Sequence, residues 1–376
     1  MLPYGRQSIN DDDVAAVTRA LGSDWLTTGP EVDRFEESIA ERTHAAHAIS
    51  VTSGTAALHL AYAAAGVGAG DEVVTTPLTF VATAATAAVF GAKIVFADVD
   101  PKTGNLDPAA AEAAVTPNTK VIAGVDYAGV PVEADALRAL AEKNDALFLE
   151  DAAHSIGSRR NGKPVGSLAH MTSFSFFPTK NLTTAEGGAL VTDNEELATR
   201  ARRFKNHGLV RDKELQRYPD EGPWHQEVHS FGINYRLPDV LCALGSSQLQ
   251  RLQSFVARRA EIKRIYDEAL ANLDGVDIPF APEGAEPAWH LYPLRVPAER
   301  RRAIFESLRE QGIGVQVNYI PAYWHPVFED LGYKRGMCPV AEDFYRREIS
   351  LPMFPGLTDA DVERVIEAVR KAVATA

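Results

Sequence analysis

Only two cysteines, Cys242 and Cys338, occur in the 376 residues, and they lie far apart. That scarcity excludes a disulfide framework and a cysteine-based metal centre, and it fits a reducing cytoplasm. No histidines fall at HExxH spacing and no ligand cluster is visible, so no metal is expected. Long apolar runs are missing as well. Although 45% of the residues are hydrophobic, no run reaches the length of a bilayer span, and no membrane partner is expected. The opening stretch MLPYGRQSINDDD lacks a basic region followed by an apolar block, so no secretory signal is expected either. Positive charge is in deficit. A formal net charge of −13 weighs against a nucleic-acid partner, which calls for a basic face. The glycine signatures of nucleotide binders are absent too: no GxGxxG follows the first strand-like run, and no glycine-rich approach precedes Thr179-Lys180-Asn181. Internal repeats and low-complexity tracts are not found.

What the chain does have is alternation. Apolar runs of strand length fall at 48–51, 72–75, 93–97, 121–125 and 146–149, separated by helical patterns at 55–65, 80–90, 108–115 and 132–143. This order predicts a mainly parallel sheet between helices. The runs are continuously apolar, as expected for strands buried on both faces. Residues 1–30 read as an N-terminal arm with one short amphipathic helix at 11–21, and residues 31–250 as the large domain. Residues 251–376 read as a bridging helix and a smaller C-terminal α/β domain, with strands near 289–296 and 314–319 and helices at 300–310 and 359–374. The charged, turn-rich stretch 206–227 predicts a lid or a subunit contact. The aromatic stretch 318–326 reads as a binding loop or a packed surface loop.

In such sheets ligands sit beyond the carboxyl ends of the strands, so the residues after each strand carry the functional signal. The stretch TSFSFFPTKNLTTAEGGALV (172–191) reads as a strand, a turn with Lys180, and a Gly187-Gly188 pair entering a second strand. Burial would lower the Lys180 pKa and make it a nucleophile able to hold an aldehyde as a Schiff base. A surface lysine in a loop is the plain alternative. Ser175 could reach an anion, and the two glycines would let the backbone approach a planar ligand. Ser53-Gly54-Thr55 opens a helix and reads either as a phosphate cradle or as simple N-capping. Phe80 could stack on a ring or belong to the core. Asp151, just past a strand end and followed by His154, needs a cationic partner such as a protonated ring nitrogen.

Taken together, SGTAAL, PLTFVAT, EDAAH, SFSFFPTKN, TAEGGA and GINYRLPD resemble the DegT/DnrJ/EryC1/StrS family of sugar aminotransferases over essentially the whole chain. The resemblance implies a fold-type I enzyme dependent on pyridoxal 5′-phosphate. VDYAG (125–129), HLYPL (290–294), VQVNYIP (315–321) and AEDFYRREISLP (341–352) look most like the branch that aminates C4 of a UDP-linked 4-keto-6-deoxy sugar for pseudaminic acid. Amination at C3, a dTDP- or GDP-linked sugar, or a non-catalytic regulatory homologue stand as alternatives. By resemblance, Lys180 forms the covalent link to the cofactor and moves the proton. Asp151 pairs with the pyridine nitrogen, Phe80 stacks on the ring, and His154 contacts it near O3′. Ser53, Gly54, Thr55 and Ser175 form the phosphate cradle, which Asn234 completes from a partner subunit, implying a homodimer with shared sites. Tyr4, Asp24, Trp25, Leu26, Thr27, Gln316, Val317, Asn318 and Tyr319 match sugar-nucleotide contacts, and L-glutamate is the implied amino donor. Phe177 departs from the family, replacing the histidine of SFHxxK versions of the motif.

Overall fold

A computed structural model describes all of residues 1–376. Helices α1 (Asp11–Leu21) and α2 (Pro30–Thr43) precede β1 (His47–Val51). Alternation then follows: α3 (Gly54–Ala65), β2 (Glu72–Thr75), α4 (Ala82–Ala88), β3 (Lys93–Phe96), α5 (Pro108–Ala114), β4 (Thr119–Val125), α6 (Ala134–Lys143) and β5 (Leu147–Asp151). A short ribbon, β6 (Arg159–Arg160) and β7 (Lys163–Pro164), leads to β8 (Met171–Ser175), β9 (Gly188–Thr192) and α7 (Glu195–Phe204). A two-stranded hairpin, β10 (Leu209–Val210) and β11 (Glu227–Val228), comes before α8 (Asp239–Leu270). The C-terminal unit holds β12 (Ala285–Glu286), β13 (Tyr292–Arg295), α9 (Arg301–Glu310), α10 (Pro326–Glu329), α11 (Pro339–Arg347), β14 (Glu348–Leu351) and α12 (Asp359–Thr375).

The main sheet has the order β1-β9-β8-β5-β4-β2-β3, and only β9 runs against its neighbours. Alternate residues of each strand feed different cores. Val73, Val121 and Leu149 join the core under α3 and α7, while Val74, Ile122 and Phe148 join the core under α2, α6 and the first half of α8. Burial on both faces is why these runs carry no polar alternation. The expected mainly parallel sheet between helices is therefore present.

Three expectations are corrected. Residues 314–319 form no strand: Gln316 makes one isolated bridge to Ser350, and the partner of β13 is β14, which the pattern did not reveal. Helix α8 crosses position 250 without a break, placing Leu249 and Leu252 in the large core and Ile262, Tyr266 and Leu270 in the small one. The boundary expected at 250/251 thus falls inside a rigid element. The N-terminal segment is also docked: Leu2 enters the small core, and the buried Asp13 of α1 accepts from Ser247 and Gln248 of α8, both at 2.7 Å.

Candidate active site

The carboxyl ends of β1, β2, β5 and β8 open onto a cavity of about 660 Å³. Its lining includes Ser53, Gly54, Thr55, Phe80, Asp151, His154, Ser175 and Lys180 from the large domain, with Tyr4, Gln316, Asn318 and Tyr319 opposite. Residues separated by as many as three hundred positions thus meet at one place, the one that a parallel sheet prepares.

Lys180 follows the tight Phe177–Lys180 turn, closed by its backbone N–H donating to Phe177 O at 2.9 Å. Desolvation lowers its amine to about 8, with Asp151 opposing that fall. Asp151 is the last residue of β5, and burial raises its carboxyl. Thr83 Oγ1 donates to its Oδ2 at 2.7 Å and Ala153 N–H to its Oδ1 at 3.2 Å, and both bonds hold the pKa down. No arginine or lysine forms an ion pair with this carboxylate, and Lys180 acts on it only through charge at longer range. The rings of His154 and His290 pack at 4.4 Å, and burial holds both well below the usual histidine range. His154 Nε2 meets Tyr319 Oη at 3.1 Å, leaving His154 Nδ1 buried without a partner.

At the start of α3 both readings of Ser53 hold. Ser53 caps the helix, its Oγ accepting from Ala56 N–H at 3.0 Å and its carbonyl from Ala57 N–H at 3.0 Å. The N–H groups of Gly54 and Thr55 therefore keep no partner, as first-turn donors do, and an anion can take them. A Cβ on Gly54 would lie 2.9 Å from Ser175 Oγ, so glycine lets the helix end and that hydroxyl converge. Pyridoxal phosphate fits these residues. Free helix donors and Ser175 suit its phosphate, the unpaired Asp151 suits its protonated nitrogen, the exposed face of Phe80 suits its ring, and Lys180 suits its aldehyde.

Not every expected residue reaches the cavity. Asn234, Asp24, Trp25, Leu26 and Thr27 are exposed outside it, and Val317 does not line it. The Gly187-Gly188 pair serves packing instead of a ligand. A Cβ on Gly188 would stand 2.5 Å from Ser53 O and 2.7 Å from Phe174 O, and one on Gly187 would strike Thr184. Phe80 precedes α4 instead of opening it. Phe177 sits on the cavity rim, 45% exposed. Thr79, Thr83 and His290 were missed. The four-residue spacing of Thr79 and Thr83 within PLTFVAT, which brings their hydroxyls to 2.8 Å, was the available signal for the first two.

Comparison with known proteins agrees with this geometry. Residues 7–370 match the model of the DegT/DnrJ/EryC1/StrS aminotransferase family. The spore coat polysaccharide biosynthesis protein SpsC of Bacillus subtilis is 42% identical, with 99% of this chain and 97% of SpsC covered. The putative sugar aminotransferase Spr1654 of Streptococcus pneumoniae, in its PMP form, superposes with a TM-score of 0.94 at 30% identity, covering 100% of this chain and 99% of that one. Helicobacter pylori PseC, an aminotransferase involved in pseudaminic acid biosynthesis, gives a TM-score of 0.93 at 33% identity, with both chains covered in full. The chain belongs to the DegT/DnrJ/EryC1/StrS aminotransferase family, pyridoxal-phosphate-dependent sugar aminotransferases of fold type I.

Proposed function

We propose that this sugar aminotransferase moves an amino group from L-glutamate to C4 of a UDP-linked 4-keto-6-deoxy-N-acetylhexosamine, as in formation of UDP-4-amino-4,6-dideoxy-N-acetyl-β-L-altrosamine. One observation carries the reading: a lysine and an unpaired buried carboxylate share one cavity with an anion cradle and a wall of hydroxyl and amide groups. The likeness to PseC supports the choice of sugar. The presence of Lys180 speaks against a sugar dehydratase of the same fold, in which that lysine is lacking.

Pyridoxal phosphate, when bound, supplies a ring that accepts the electron pair released as the donor carbon loses its proton. Asp151 would keep the ring nitrogen protonated, and Thr83 and Ala153 hold that carboxylate in place. Lys180 would hold the cofactor's aldehyde and, as a free amine near 8, would accept and return the proton that moves on the substrate side. Glutamate and the sugar use the cavity in turn, so ping-pong kinetics are expected. Tyr4, Gln316, Asn318 and Tyr319 would face the sugar. Asn234 and the segment from Asp24 to Thr27 would complete the site across a homodimer, which the exposed Phe231, three residues before Asn234, favours. No helix is long and apolar enough to cross a membrane, and we assign the enzyme to the cytoplasm with its two free, buried cysteines.

Glutamate-dependent amination across UDP-, GDP- and dTDP-linked keto sugars, with product stereochemistry from NMR, tests the substrate. Turnover confined to dTDP or GDP sugars, or at C3, would overturn the assignment. Lys180→Ala is expected to lose the visible absorbance that cofactor addition produces and to lower kcat more than about a thousandfold. Full turnover by that variant would remove the lysine from the mechanism.

A further inference from the structure

One wall of the cavity is held from behind by a carboxyl that the reaction does not use. Glu348 opens β14 and is fully buried. Its Oε2 accepts the backbone N–H of Asn318 at 2.7 Å, and its Oε1 is joined to Ser350 Oγ by a short hydrogen bond. Asn318 Nδ2 donates to Ser350 Oγ at 3.1 Å and to Tyr4 Oη at 2.7 Å, while Tyr127 donates to the Asn318 carbonyl. Both Nδ2 protons are thus engaged, and the Tyr4 oxygen is an acceptor. Tyr4 Oη is bonded only as the acceptor from Asn318 and donates to no protein group, and the nearby Ser350 Oγ is engaged with Glu348 and Asn318. Because Tyr4 and Asn318 both line the cavity, the phenolic O–H is left to donate into it. Burial pushes the Glu348 carboxyl up to about 8. With or without its proton, one hydrogen fills the contact with Ser350, and Ser350 still accepts from Asn318.

We propose that Glu348 is a positioning residue: by fixing Asn318 it holds the Tyr4 hydroxyl as a hydrogen-bond donor toward an oxygen of the sugar substrate. This rests on the sugar aminotransferase reading above. It predicts that loss of Glu348 harms one half-reaction and spares the other, which general weakening of the fold would not do.

Stopped-flow absorbance can follow the holoenzyme with L-glutamate, and separately the aminated enzyme with a UDP-linked 4-keto-6-deoxy-N-acetylhexosamine. Glu348→Ala is expected to raise the sugar KM about 10- to 100-fold while the glutamate half stays within about twofold. Glu348→Gln keeps an acceptor for the Asn318 N–H and a donor for Ser350, so it should return the sugar KM to within about threefold of the unaltered protein. Tyr4→Phe should match Glu348→Ala, and combining the two should add little, because they remove one hydrogen bond in common. Equal slowing of both halves, an unchanged sugar KM, or full additivity with Tyr4→Phe would overturn the proposal. Should thermal melting find Glu348→Ala unfolded, Ser350→Ala, which deletes only the linking hydroxyl, carries the same expectations. If the unaltered protein aminates no keto sugar, the underlying reading fails instead, before any variant is compared.

Discussion

Lys180 is useful only when its amine is unprotonated, and the cavity sets when that happens. Desolvation brings it from the ordinary lysine range to about 8, against the pull of Asp151. Below pH 8 the amine is mostly charged and cannot attack an aldehyde; above it, it is mostly neutral. The rate at which the apoprotein takes up pyridoxal phosphate should therefore rise with pH, pass half its limit near the amine's value of about 8 and level off above it, read by the growth of visible absorbance. A rate still climbing at pH 10 would show an ordinary surface lysine. Thr83 gives a second test. Its hydroxyl donates to Asp151 and is shared with Thr79. Thr83→Val removes a bond that keeps the Asp151 pKa down, and kcat should fall about tenfold with little change in melting temperature. An unaltered kcat would show that Asp151 needs no such support. At this scale Lys180, Asp151 and Ser175 were legible because each had a chemical oddity, a charge or hydroxyl at a strand end. Thr83 and His290 were not, since a threonine in an alanine-rich helix and a histidine before a strand look ordinary until the fold brings them together.

Helix α8 ties the two domains to the lysine turn through Arg259, whose side chain is fully buried and forms no ion pair. Its Nη1 donates to Met353 O at 2.9 Å, His290 O at 3.1 Å and Trp289 O at 3.4 Å, and its Nη2 reaches Thr179 O at 3.5 Å. Three loops converge on one guanidinium, among them the one carrying Lys180. Arg259→Met fills similar volume but leaves those carbonyls without donors, and should destabilise the protein by about 3 kcal/mol in urea unfolding. Lysine should not rescue it, because a compact ammonium cannot span the fork. A loss below about 1 kcal/mol would mean that solvent or neighbouring donors replace the contacts. The elements themselves were largely readable where burial on both faces made strands continuously apolar, and β2 matched its expected bounds. Legibility failed in the small domain. The stretch 314–319 alternates like a strand yet forms only the isolated bridge from Gln316 to Ser350, while β14 is four residues followed at once by Pro352 and hides behind the charged run of α11.

On the proposed reading, one chain would assemble the cofactor cradle only in part. The expected phosphate ligand Asn234 lies exposed outside the cavity, beside Phe231 with 98% of its surface open, and the 24–27 segment is exposed too. Sequence could name these residues through resemblance but not place them, because no periodicity or local chemistry would encode a contact made by a second copy. A two-fold dimer that swaps this region would put Asn234 of one protomer over the α3 N-terminus of its partner. Mixing two inactive variants decides the matter. Lys180→Ala removes the lysine of a site, and Asn234→Asp sets a negative charge against the phosphate, which should abolish cofactor retention at limiting pyridoxal phosphate. If sites are shared, a mixed dimer of the two variants contains one site with both defects and one with neither. Unfolding and refolding an equal mixture would then restore about one quarter of full activity, since half of the dimers are mixed and half of their sites are intact. If each chain builds its own site, the mixture stays as inactive as its parents, and the arrangement of Asn234 must be sought within a single protomer.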